Sequence, residues 1–278
     1  AVAMRSAPDN HSNHAWKTHL DNFRDYIPIA RERKFPAIIL TSWSTSGIYG
    51  YEWDRAGHPT ALHPVRRTTP HAGLRVLVAA FAEAVQKPQA LDPERFVVRY
   101  ARERFGFTEA EGLLFHHALL LNDLATLDWD TMIRRLRAAR KARRILRKLH
   151  PGDNDTEFAR YRLMTDLLCL QLKVLGLEAR AQSADFADKD FPRLRRRIEA
   201  ALDEAAGLNR CFLHVYAGEL YAEELQAEIA YRMNALQRLH TRVVRCKRDG
   251  AVGRRALPAV RGGEVAGVLE AGNTVGRP

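Results

Sequence analysis

The sequence predicts a mostly α-helical chain: the last one or two strand–helix units of a barrel-type α/β fold, followed by an up-and-down helical domain. Three observations carry this. The apolar run Ala37 to Leu40 lacks the polar alternation of a half-exposed strand and ends abruptly in Thr41, Ser42 and Trp43. A parallel strand covered on both faces has that form, and it delivers a site at its C-terminal end. A segment of helical period, Trp16 to Lys34, precedes it, and from Leu91 to about Arg248 apolar residues recur at helical spacing between well-marked caps.

Taken in order, Ala1 to Met4 reads as a short strand and the residues to Asn13 as a polar loop. The first helix spans Trp16 to Arg33, the strand continues to Trp43, and a loop rich in Gly, Pro and His follows. Thr68-Thr69-Pro70 opens another helix, with a Thr cap and Pro in the first turn, running through Leu74, Leu77, Val78, Phe81 and Val85. Two parallel strands bury neither face alone, so this reading requires further strands upstream. A start without an initiator Met likewise predicts the C-terminal part of a longer protein.

In the helical region Asp92-Pro93-Glu94 starts one helix, Gly106 follows its end, and Thr108 with Glu111 forms a capping box for the next. Asp128 or Asp130 precedes an arginine-rich helix that Pro151-Gly152 terminates; Asp155 or Thr156 opens a long one through Leu177. Phe191-Pro192 opens a helix to about Ala206, and Asn209 to Arg245 forms the last, with Gly218 bending or dividing it. The expected domains are therefore residues 1–90, a barrel end; residues 91–248, a helical domain able to fold alone; and residues 249–278, a Gly-rich tail expected to be disordered.

At 278 residues with 46% hydrophobic and 28% charged content, the composition is that of a soluble protein with a sizeable core. No membrane span is expected, since no run of about 18 uncharged apolar residues occurs. Ala1 to Asp9 is too short and too polar to be the apolar part of a signal peptide, and a cytoplasmic setting is favoured. Cys169, Cys211 and Cys246 are odd in number and widely spaced, which predicts free thiols. No metal site and no cofactor are expected: His11 and His14 sit in a polar loop, and adjacent His116 and His117 cannot share a helix face.

The formal charge of +11 is concentrated. Between Met132 and His150 stand nine Lys or Arg and no acid, and Arg193, Arg195, Arg196 and Arg197 form a second cluster. Met132, Ile133, Leu136, Ala139, Ile145, Leu146 and Leu149 supply an apolar stripe on the first run, so the plain reading is the solvated face of a packed helix. Neither base-stacking aromatics nor a nucleic-acid reading module accompanies these arginines, so nucleic acid is not the expected partner.

The residues suited to a site follow the strand. An indole at its end forms the wall of a sugar pocket, packing against the C–H face of a pyranose while Ser44, Thr45, Ser46 and Gly47 leave room and donors. Tyr49, Tyr51, Glu52, Trp53 and Asp54 add aromatic walls and carboxylates, although Glu52 and Asp54 have no enforced spacing for an acid–base pair. The order Trp16 to Ile27, then Phe35 to Ser46, then a helical region resembles the end of the catalytic (β/α)8 barrel of glycoside hydrolase family 20, the β-N-acetylhexosaminidases, in the branch with a helical domain after the barrel. The resemblance implies that Ala37 to Ser42 is the eighth strand and that Trp43 lines an N-acetylglucosamine pocket, with Tyr49, Tyr51 and Glu52 as further substrate-binding residues. It implies an N-acetylhexosamine-containing glycan as partner, bound by the parent barrel.

Two departures stand out. The family's Asp-Glu pair at the end of the fourth strand is absent, since Asp203-Glu204 lies in a helical pattern, and Thr45 stands where the family's Trp-x-Glu arrangement has its carboxylate. No catalytic residue is therefore assigned, and the chain alone is expected to be inactive. The alternative is a non-enzymatic helical protein whose basic run, Arg134 to Lys148, binds RNA or an acidic partner.

Overall fold

The computed structural model describes residues 16–40, 75–122, 129–182 and 186–248. Eight α-helices fill them: α1 Trp16–Glu32, α2 Arg75–Gln86, α3 Pro93–Phe105, α4 Glu109–Leu121, α5 Trp129–Lys148, α6 Asp155–Gln182, α7 Phe191–Val215 and α8 Ala222–Arg248. A 3-10 turn, Asp188–Asp190, precedes α7. No strand forms among the described residues, so the mostly α class holds.

The expected strand falls partly on described residues and has no ladder there. Residues 37–40 are irregular, and Ile39 is 78% exposed while Ile38 rests against the core. A strand is held by its neighbours, and Ala37 to Leu40 pair with none among the described residues. Ala1 to Met4 and Thr41 to Trp43 lie outside the described residues, as does the tail 249–278.

Caps act where their chemistry requires. Asp92 accepts from the Arg95 amide at 3.1 Å, and Thr108 with Glu111 closes the capping box of α4. Gly106 ends α3 in the left-handed conformation at φ 70°. The carbonyls of that end are met from the α5–α6 connection: the Gly152 amide donates to Phe105 O at 2.9 Å and Asn154 Nδ2 to Arg104 O at 2.7 Å. Gly112 lets α4 approach α3 closely; a Cβ there would stand 3.1 Å from the Val98 carbonyl oxygen.

One break differs from expectation. A single helix, α7, continues through Ala206 and Asn209 to Val215, and the division falls at Gly218, φ 79°. The reason is an unbroken stripe, Leu194, Ile198, Ala201, Ala205, Leu208, Phe212 and Val215, alternating steps of four and three residues and buried throughout.

Two cores share α6. The first joins α1, α2, α3, α4 and the end of α5 to the start of α6, around Phe105, which meets the rings of Tyr100, Phe107, Phe115, Phe158 and Tyr161 at centroid distances of 5.3–6.1 Å. The second joins the rest of α6 to α7 and α8. A small third cluster seats Ala139 of α5 on Leu168, Cys169, Leu172 and Leu175. The α6 helix is thus apolar nearly all round, which befits a helix covered on most sides.

The first core crosses the boundary expected at residue 90. Trp16, Leu20, Phe23 and Ile27 of α1 and Val76, Leu77, Ala80 and Ala84 of α2 are buried in the same cluster as Phe96, Phe115 and Tyr161. Among the described residues, α1 and α2 thus share one apolar cluster with α3 to α6. Helical period marks an apolar face on each side of that boundary, and packing shows that the two faces bury each other.

Helix directions separate two architectures. Arg162 of α6 donates to Leu146 O of α5, while Ala139, earlier on α5, packs on Leu172 and Leu175 further along α6. Lys173 of α6 meets Glu204 of α7, while Arg180, further along α6, meets Asp190 just before α7. A short link joins α7 and α8, and Glu199 and His240 come together far from it, so α5 to α8 run up and down. The α1 and α2 pair instead runs parallel. Phe23 packs edge-on against Phe81 at 5.7 Å, and further along both helices Arg31 donates to the carbonyls of Ala84, Val85 at 2.9 Å and Pro88 at 3.2 Å.

Candidate functional site

The sugar-wall residues expected from the sequence, Trp43, Tyr49, Tyr51 and Glu52, lie outside the described residues, as do Ser44 to Gly47, Trp53 and Asp54. What is described is their setting. The segment that contains them, residues 33–74, lies between two parallel helices.

The same region exposes unusual apolar surface. Eleven large hydrophobics are exposed among the described residues, and seven of them, Tyr26, Ile29, Phe35, Ile39, Leu40, Val78 and Val85, precede residue 91. Tyr26 and Ile29 share one face of α1, and Val78 and Val85 one face of α2, each turned away from the buried face of its helix. A helix with apolar residues on two faces has packing partners to satisfy on both.

Elsewhere, buried charges are locked in place. Glu157 at the start of α6 is 5% exposed and accepts from the Tyr100 hydroxyl at 2.7 Å and from Arg104 at 2.8 and 2.9 Å, with Arg75 at 3.6 Å. Burial, then the neighbouring Tyr161 and Glu157, push the Tyr100 phenol well above its ordinary range. With its oxygens engaged by these donors, the carboxylate ties α2, α3 and α6 together as a structural clasp. His116 is buried 3.5 Å from Glu94, and burial depresses its pKa, while His117 faces outward. Cys169 is buried, which pushes its thiol up to about 11, and Cys211, one position off the apolar stripe, is exposed. No cluster with metal-ligand composition occurs among the described residues, and no helix there is long and apolar enough to cross a membrane.

Asp203-Glu204 sits on α7, where Glu204 meets Lys173 at 2.8 Å and Arg143 at 3.3 Å. Burial resists the charged form, and the two cations outweigh it to leave the pKa lowered. Glu204 is thus a tether between helices, held ionised and unsuited to the role of general acid.

Two basic features remain. A cavity of about 220 Å³ lies where α6 meets α7, lined by Arg180, Phe186, Asp190, Arg193, Leu194 and Arg197. Its Arg180 pairs with Asp190 at 2.9 Å and lies over the Phe186 ring, and the volume is below that of ordinary ligand pockets. The larger feature is α5. Its buried side, Ala139, Ala142 and Leu146, packs on α4 and α6; Arg134, Arg137, Lys141, Arg144 and Lys148 all point away from it. No protein-family model, curated protein or solved structure matches the chain.

Proposed function

We propose that this chain is the C-terminal portion of a glycoside hydrolase of family 20 type, acting on terminal β-linked N-acetylhexosamine, and that it contributes a wall of the sugar pocket. One observation carries the reading: α1 and α2 are parallel and bracket the segment ending in Leu40-Thr41-Ser42-Trp43. Successive helices of a strand–helix barrel are parallel, whereas those of an up-and-down bundle alternate, as α5 to α8 do. The second apolar faces on α1 and α2 and the exposed Phe35, Ile39 and Leu40 support it, being surfaces suited to burial against a larger barrel.

In this reading the Trp43 indole packs on the apolar face of the sugar ring, Tyr49 and Tyr51 flank it, and Glu52 accepts from sugar hydroxyls. The acid and the acetamide-orienting carboxylate of the family do not occur in this sequence, so the chain binds and does not hydrolyse. Isothermal titration with N-acetylglucosamine tests this. Saturable heat lost in Trp43→Ala, with an unchanged melting temperature, is the expected result. Absence of any heat from the wild type refutes the pocket. Turnover of a chromogenic N-acetylglucosaminide, abolished by a substitution within residues 1–278, refutes the claim of inactivity.

A further inference from the structure

The cations of α5 are arranged, and not merely abundant. Arg134, Arg137, Lys141, Arg144 and Lys148 follow steps of three, four, three and four residues, which places them in one row along the helix. At 1.5 Å per residue the row is about 21 Å long, with a cation every 5–6 Å or so. All five are exposed, and none has an ion-pair partner among the described residues. Among the described residues, the acids paired with α5 are held by its flank: Arg147 holds Asp166 at 3.2 Å, and Arg143 holds Glu204 at 3.3 Å. No acid occurs in residues 131–152. Five like charges with no counter-charge among the described residues repel one another, and a bound polyanion relieves that repulsion.

We propose that this row is a docking face for a linear anionic glycan, one whose carboxylate or sulfate groups recur along the chain. The guanidinium groups give paired hydrogen bonds to such oxyanions, and a straight row of cations fits a polymer whose charges are spaced along one edge. The choice of a glycan rests on the glycosidase reading above, of which it specifies the substrate class: a charged polymer containing N-acetylhexosamine. Features that would favour nucleic acid are missing from the row, for α5 lies packed against α4 and α6 instead of projecting as a groove-reading helix, and no described aromatic stands among the five cations. A lipid surface is also disfavoured, because the apolar side of α5 is consumed by the core.

The test uses the full chain and fluorescently labelled chondroitin sulfate over a salt series, with uncharged chitohexaose, a 20-base-pair RNA duplex and phosphatidylserine vesicles as competitors at matched ionic strength. The expected result is saturable binding to chondroitin sulfate that weakens steeply with salt and falls at least tenfold in the variant R137E/K141E/R144E. A second variant, R137Q/K141Q/R144Q, keeps the helix-forming side chains without charge reversal and should show the same direction of loss at an unchanged melting temperature. Duplex RNA or vesicles bound more tightly than the glycan, per charge, overturn the glycan assignment. Equal affinity of wild type and both variants overturns the site. Trp43→Ala should leave this binding unchanged, so the docking face and the sugar pocket succeed or fail separately.

Discussion

Replacing Trp16 by alanine decides whether α1 belongs to the helical core or only leads up to it. The indole is 1% exposed, lies 5.9 Å from the Tyr161 ring and begins the buried row Leu20, Phe23 and Ile27. Truncating a buried aromatic costs about 3–5 kcal/mol, the transfer of the ring plus the cavity left behind. For a chain of this size each kcal/mol lowers the melting temperature by about 2–4 °C, so Trp16→Ala should lose roughly 6–20 °C. Trp16→Phe should lose much less, because it keeps most of the ring contact and removes an indole N–H that is buried without a partner among the described residues. Tyr26→Ala on the exposed side of α1 is the control, with an expected effect within about 0.5 kcal/mol. Thermal melts followed by circular dichroism at the helical band measure all three. A shift below about 2 °C for Trp16→Ala would refute the shared core and restore an independent domain beginning at residue 91.

Glu157→Ala should destabilise by about 3–5 kcal/mol in urea denaturation, since it strands the partly buried Arg104 and the Tyr100 hydroxyl; an effect under about 1 kcal/mol would show that water replaces the carboxylate. Burial raises the Glu178 carboxyl above its ordinary value of 4.5, against the attraction of Arg242. The folded state then holds the proton more tightly than the unfolded one, so this group's contribution to stability grows as pH falls through the raised folded pKa and levels off below the unfolded value. Glu178→Gln should flatten that part of the pH–stability curve and raise stability at neutral pH; parallel curves for the two proteins would contradict it. Under native conditions at about pH 8, a maleimide should label Cys211 and spare Cys169, and peptide mapping that finds Cys169 modified first would mean that the α5–α6 contact opens readily.

Helix existence and most helix ends are legible in the sequence because they rest on local chemistry. Asp92, Thr108 with Glu111, and Gly106 each act on backbone groups within a few residues, and each does so here. The α7–α8 division is legible only in part. Gly218 marks it, yet the end expected near Ala206 does not occur, because the stripe from Leu194 to Val215 continues unbroken through it. The apolar run Ala37 to Leu40 has the composition of a strand, but a strand exists through pairing, and Ile39 is solvent-exposed among the described residues.

The sequence by itself determined the helical class, the caps and the concentration of positive charge on the α5 run, since propensity, capping and helical period are short-range properties of the chain. Only the tertiary structure decided that α1 and α2 are parallel, that their buried faces complete the core of α3 to α6, and which cations of α5 keep no counter-charge among the described residues. Those outcomes depend on residues far apart in sequence, such as Arg31 with Val85 and Arg143 with Glu204. Periodicity says which face of a helix is apolar, while the identity of the surface that covers it comes from packing.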